Sequence, residues 1–364
     1  MPIARVHRIS AAAPDDVSGI EAAVKKGAID PASVIAVLGK TEGNGCVNDF
    51  TRGFATLSLS QFFARHMPKD QADQICFVMS GGTEGGMAPH WTIFERIEGN
   101  GGASPALAVG RAHTTALPPE QLGRAGQIDA VAKGVAAAMK DAQIADPADV
   151  HFVQIKCPLL TAQRVQDAAM RGHKTATQDT LKSMGLSRAA SALGVAVALG
   201  EIARMTIHDD DIGSQWSLWS GRASCSAGIE LDGHEIVVLG MSKQWSGDLA
   251  IDHAVMTDSI DIEPVRAALS RLGLASPGQM QDNSRMVAML AKAEPSHDGR
   301  LRGKRHTMLD DSDISSTRHA RAFVCGALAG LVGHAEIYVS GGAEHQGPDG
   351  GGPVAIIAKT SKTQ

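Results

Sequence analysis

The chain has 364 residues, of which 43% are apolar and only 4% aromatic, with glycine at 40 positions. At about 150 residues per domain this predicts two or three units around a large core. With 34 basic against 39 acidic residues there is no positive excess to neutralise a phosphate backbone, which excludes a dedicated nucleic-acid binder.

The longest apolar stretches, 189–200 and 322–333, fall short of the roughly 18–20 residues that cross a bilayer, so no membrane association is expected. The opening MPIARVHRISAAAPDD lacks the apolar core of a secretory signal. Cysteines 46, 76, 157, 225 and 325 show no CxxC spacing. A cytoplasmic, reducing location is therefore expected.

In chain order, 34–38 is a β-branched run that predicts a buried strand. Asp49 or Thr51 is placed to cap a helix over 52–66 that Pro68 stops. Residues 75–79 are strand-like and break at Ser80-Gly81-Gly82, and 127–142 predicts a helix ended before Pro147. Strands alternating with helices predict an α/β protein with a shared sheet system inside and helices outside.

This order recurs. An apolar run ends in lysine three times, in SVIAVLGK (Lys40), DVHFVQIK (Lys156) and MVAMLAK (Lys292). Each is followed by a Ser/Thr-Arg pair opening an alanine-rich stretch, at Arg52, Arg188 and Arg318. A serine, a small residue and glycine come next, beginning at Ser80, Ser226 and Ser340. One such lysine is ordinary; three ordered copies imply structurally similar repeat units. The glycine-rich or polar seams at 97–105 and 243–252 divide the chain into units 1–104, 105–250 and 251–364.

A serine hydroxyl is a weak nucleophile until a base takes its proton. Lysine can be that base only when burial or a nearby positive charge lowers its pKa. An apolar strand and a converging arginine would supply both. Small residues after the serine bare backbone N–H groups for an oxyanion, and a guanidinium fork suits planar carbonyl or imide oxygens. Ser-Lys chemistry is a variant of the serine-histidine theme. The prediction is acyl transfer or amide hydrolysis on a small carbonyl-rich ligand.

Taken singly, Ser-Gly-Gly is a turn. Gly39-Lys40-Thr41 lacks the glycine six residues before lysine that a phosphate loop needs, Val34 standing there. The 14 histidines include no i,i+4 pair, and 208–211 reads as a solvated acidic loop. The glycine-rich tail 341–352 offers carbonyls for a hard cation such as Mg²⁺ or Ca²⁺, with Glu294 supplying charge. No organic cofactor is implied.

The blocks GKTEGNGCVNDFTR (39–52), FVMSGGTEGG (77–86), HFVQIKCPLL (151–160), SMGLSRAASALG (183–194), SAGIEL (226–231), RHTMLDDSDI (305–314) and YVSGGAEHQGPDGGGP (338–353) resemble, in order and nearly end to end, the cyanuric acid hydrolase/barbiturase family. They are closest to its cyanuric acid hydrolase branch. The resemblance implies a pseudo-threefold, barrel-like core of strands wrapped by helices. One central site would be built from Lys40 with Ser80, Lys156 with Ser226, and Lys292 with Ser340, plus Arg52, Arg188 and Arg318. It makes Ser226 the nucleophile and Lys156 its base. The other pairs, the arginines and the N–H groups beside Gly81, Gly82, Ala227, Gly341 and Gly342 would hold the ring.

It further implies a homotetramer and a structural divalent ion at Glu294, Ala343, Gln346, Gly347, Pro348 and Gly351. Cys225 departs from the family, whose members tend to carry alanine before the nucleophile. The implied reaction is ring-opening hydrolysis of cyanuric acid to carboxybiuret, which loses CO₂ to give biuret. The alternatives are barbituric acid as substrate, or a ring-binding protein without chemistry. The segment 313–315 is expected to approach the ring edge at which the two substrates differ.

Overall fold

The computed structural model describes residues 1–99 and 102–360; Asn100 and Gly101 of the first seam, and 361–364, lie outside the described residues. The first stretch of chain supplies β1 (Pro2–Ser10), α1 (Ser18–Lys25), β2 (Val34–Thr41), α2 (Phe50–Ala64), α3 (Lys69–Ala72), β3 (Cys76–Gly81) and β4 (His90–Glu98). The second supplies β5 (Ala106–His113), α4 (Ala125–Asp141), β6 (Val150–Cys157), α5 (Ala162–Met170), α6 (Thr180–Ala198), β7 (Ala223–Ala227) and β8 (Glu235–Ser242). The third supplies β9 (Leu249–Met256), α7 (Glu263–Arg271), β10 (Met286–Ala293), the short pair β11 (Arg300–Leu301) and β12 (Lys304–Arg305), α8 (Ser316–Val332), β13 (Tyr338–Gly341) and β14 (Gly352–Lys359).

The three four-stranded sheets have one topology. Their orders are β1-β4-β2-β3, β5-β8-β6-β7 and β9-β14-β10-β13. In each, the first two neighbours and the middle two pair antiparallel, and the last two pair parallel. The repeat inferred from Lys, Arg and Ser is thus a repeat of whole sheets. β9 opens at Leu249, so the third sheet takes up the chain inside the second seam, slightly before residue 251.

Local chemistry explains the elements. All eight residues of β2 are buried, as befits a strand covered on both faces. Asp49 caps α2 by accepting from the Thr51 N–H at 3.0 Å. α4 buries Ile128, Val131, Val135 and Ala138, a helical stripe that packs on β5. One apolar cluster runs through all three sheets, joining Leu38, Val78 and Phe94 to Phe152, Ile155 and Val238 and to Leu290, Tyr338 and Ile357. Helices α2 and α8 pack on separate clusters, whereas α4 and α6 place Val131, Val135 and Val195 in the shared one. Among the described residues no helix is long and apolar enough to cross a membrane.

Because Phe152 is wholly buried in the shared cluster, Phe152→Ala should lower the unfolding free energy by about 3–5 kcal/mol, read from urea denaturation.

Candidate active site

In the parallel half of each sheet, lysine and serine are direct register partners: Lys40 with Ser80, Lys156 with Ser226, and Lys292 with Ser340. Each lysine lies within its strand rather than at its end, with at least one residue beyond it. All three are buried. Their amines are tied together by a cyclic pattern. Lys40 Nζ donates to the Val339 carbonyl, Lys156 Nζ to that of Met79 and Lys292 Nζ to that of Cys225, each at 2.9 Å. Every lysine therefore holds the residue just before the serine of a different sheet.

The three serines, with Gly81, Ala227 and Gly341, line one small cavity. Ser226 Oγ and Ser340 Oγ are 3.1 Å apart. It adjoins a wider cavity of about 640 Å³ whose walls include Ser315 and Thr317, so the end of segment 313–315 does reach the approach to the site. Tyr338, the only tyrosine in the chain, is buried beneath. Burial pushes its hydroxyl up, and contacts with Ser226 and Ser80 pull against this.

The lysines differ in state. Burial, then Arg321, holds Lys40 well below the usual ammonium range. Burial, then Arg188, brings Lys292 down to about 7. Lys40 and Lys292 each donate to their own serine at 3.2 Å. Lys156 is also lowered, by burial first and by Arg52, but Glu230 pulls it back up. Its Nζ lies 2.7 Å from Glu230 Oε1 and makes no hydrogen bond to Ser226. In substrate-free enzymes such bonds often tighten only when the ligand arrives.

Arg52 and Arg188 line the cavity as expected, but the third guanidinium belongs to Arg321, not Arg318. Arg318 sits at the start of α8 with its side chain 37% exposed, against 3% for Arg321. One helical turn separates them, and only the later position faces inward. Counting back from the helix end would have found it: Arg52, Arg188 and Arg321 precede the ends of α2, α6 and α8 by similar lengths.

Sequence reading also missed a fourth repeated position. Glutamate follows each serine by four residues, at Glu84, Glu230 and Glu344. Glu84 grips Arg321 with both oxygens, at 2.6 and 2.8 Å. Glu344 grips Arg188 at the same two distances. Burial opposes both carboxylates, yet their arginines outweigh it and hold them low. The small residues after serine make room for these forks. A Cβ on Gly82 (φ +102°) would come within 2.4 Å of Arg321 Nη2, and one on Gly342 (φ +75°) within 2.4 Å of Arg188 Cζ.

The Gly82 and Gly342 N–H groups are not free for substrate. They donate to the Thr41 carbonyl and to Glu294 Oε2, both at 2.8 Å.

Glu294, Ala343, Gly347, Pro348 and Gly351 border a second small cavity. Glu294 also accepts from Thr317 Oγ1 at 2.9 Å, and burial and Glu344 push it upward. Asp349 and His297, which also line this cavity, pair with each other, and Glu294 with the loop's backbone carbonyls would offer an all-oxygen donor set that fits a hard divalent cation. The Gln346 side chain is engaged elsewhere. Its Oε1 accepts from the Cys225 N–H at 2.6 Å and its Nε2 donates to the Gly342 carbonyl at 3.0 Å, leaving only its backbone carbonyl for an ion.

Three register-paired Lys–Ser sets and three guanidinium groups on one cavity form a hydrolase-type cradle for a flat, carbonyl-rich ring. Residues 5–359 match the family model described as amidohydrolase ring-opening protein; the chain belongs to this family. The cyanuric acid amidohydrolase of Azorhizobium caulinodans is 67% identical over 359 residues, covering 98% of this chain and 99% of that protein. That of a Bradyrhizobium species is 59% identical, with 98% of each covered. The crystal structure of the A. caulinodans hydrolase superposes with a TM-score of 0.93 at 66% identity, covering 99% of this chain and all of that one. A second cyanuric acid hydrolase, described as an evolutionary innovation by structural concatenation, gives 0.94 at 48% identity, with 99% of this chain and 100% of that one covered.

Proposed function

We propose that this enzyme opens the ring of cyanuric acid. The observation that carries the proposal is the convergence of three register-paired Lys–Ser sets and three guanidinium groups on one cavity. A ring with three equivalent carbonyls meets one such set on each edge, and the arginines favour its anionic forms. Full-length relatives named as acting on cyanuric acid support the same substrate.

Ser226 attacks one ring carbonyl while a neutral Lys156 takes its proton. The C–N bond breaks, its nitrogen is protonated, and an acyl-enzyme remains. Water releases carboxybiuret, which loses CO₂ to leave biuret. Ser80, Ser340, Arg52, Arg188 and Arg321 orient the ring, and the backbone N–H of Ala227 faces the developing oxyanion. Purified protein assayed on cyanuric and barbituric acids side by side tests the substrate. Biuret and CO₂ from the first, with slower or no turnover of the second, is the expected result.

A divalent cation held by Glu294 and the carbonyls of Ala343, Gly347, Pro348 and Gly351 would brace the loop after Ser340, since Glu294 already fixes the Gly342 N–H. Dialysis against EDTA should lower Tm by roughly 5–10 °C, with recovery on adding Mg²⁺ or Ca²⁺. The reading also includes a cytoplasmic location, a homotetramer, and three units per chain with the second boundary falling just before β9. Five free cysteines suit a reducing compartment; sedimentation tests the tetramer.

A further inference from the structure

Three Lys–Ser pairs that are copies of one another should be equally reactive, so something has to single one out. Among the glutamate–arginine clamps the threefold pattern breaks at one place. Glu84 of the first unit clamps Arg321 of the third, and Glu344 of the third clamps Arg188 of the second. By the same rotation Glu230 of the second unit belongs on Arg52 of the first. Instead it sits 2.7 Å from Lys156 Nζ. Arg52 is turned to the backbone, donating to the carbonyls of Ala227 at 2.9 Å and Cys46 at 2.6 Å. Its Nε is left as a buried donor without a hydrogen-bond partner, and Asp49 comes no closer to it than 3.9 Å. An unpaired buried N–H costs free energy, which marks the displacement of Glu230 as a feature kept for something other than stability. Among the three lysines only Lys156 has a carboxylate in direct contact.

We propose that Glu230 is the positioning residue that makes Lys156–Ser226 the reactive pair, acting on Lys156 as the aspartate of a Ser-His-Asp triad acts on its histidine. This rests on the ring-opening reading above. When the Ser226 Oγ–H proton passes to neutral Lys156 Nζ and Oγ bonds the ring carbonyl carbon, an ammonium forms in a buried site. Glu230 stabilises that ammonium and fixes where Nζ stands. Elsewhere the same glutamate is spent on an arginine, so Lys40 and Lys292 gain no such partner. The charged groups around the pair are Arg52, which opposes a proton on Lys156, and Glu235, a carboxyl that burial pushes up to about 8 and that donor Phe77 N–H restrains. Burial works against the Glu230 carboxylate, but Lys156 and Arg52 outweigh it and hold it at about 2, so it stays ionised throughout the working range.

The test is Glu230→Gln, with Glu230→Asp and Glu84→Gln beside it, each checked for native Tm and followed by kcat and KM for cyanuric acid across pH. For Glu230→Gln a fall in kcat of roughly 10²–10³-fold is expected, with KM changed only a few-fold. The sign of the pH effect is fixed. Lys156 acts unprotonated, and Glu230 raises its pKa. Losing the carboxylate therefore moves the acid limb of kcat to lower pH while the plateau drops. Glu230→Asp should recover part of kcat and return the limb toward its original position. Glu84→Gln, which loosens Arg321, should raise KM and leave the limb in place. A Glu230→Gln enzyme whose limb does not move, or whose kcat is near normal, overturns the proposal. Normal turnover in Ser226→Ala would instead overturn the underlying nucleophile assignment, so the two failures are distinct.

Discussion

Ser226→Ala is expected to lose turnover by at least about 10⁴-fold while still binding the ring, as followed by titration with barbituric acid. The serine lies inside β7 with the small Ala227 behind it, and its hydroxyl contacts Ser340 Oγ. Removing one oxygen opens little space and disturbs no core contact, so the fold should hold and the loss should fall on kcat. Ser80→Ala and Ser340→Ala remove hydroxyls that orient the ring, and their effect should appear mainly in KM. Near-normal kcat in Ser226→Ala together with a dead Ser80→Ala would assign the nucleophile to the first pair.

The second large effect separates two arginines one helical turn apart. Arg321→Ala should lower kcat/KM by roughly 10²–10³-fold, since it removes a buried guanidinium that lines the cavity. Arg318→Ala should change it no more than about three-fold, as expected for a largely exposed ion pair. Both arginines bond Glu84, so a general disturbance of that carboxylate would affect both variants alike. Steady-state kinetics on the pair, with Tm measured for each, tells position from charge.

The repeat was legible because buried lysine is rare and three ordered copies of Lys, Arg and Ser stand out against uneven insertions. β2, α2 and α4 were legible for ordinary reasons: a β-branched run, the Asp49 cap and a 3.6-residue apolar stripe. Arg318 stands out in the sequence because the Thr-Arg pair matches the other units as letters. Which arginine faces inward depends on the phase of α8 against β13, a tertiary fact that neighbouring letters do not carry. Glu84, Glu230 and Glu344 were in plain sight as Ser-x-Gly-x-Glu. The spacing alone could not say that two would seek arginine and one lysine, because that choice depends on where side chains from other units arrive. The same holds for Gln346, whose side chain is drawn to the Cys225 N–H from across the axis.

The ring of lysine amines on borrowed carbonyls has an evolutionary corollary. No unit owns a complete third of the pocket, so an isolated unit would bring only halves of contacts, and three would have to close into a trimer to make it whole. In a trimer of identical chains any change is copied three times, and a glutamate that abandoned its arginine would do so on every edge at once. Fusing the copies into one polypeptide lets a single edge drift while its sisters keep the grip, so the covalent linkers are what permit one chemically privileged corner in an otherwise symmetric cup.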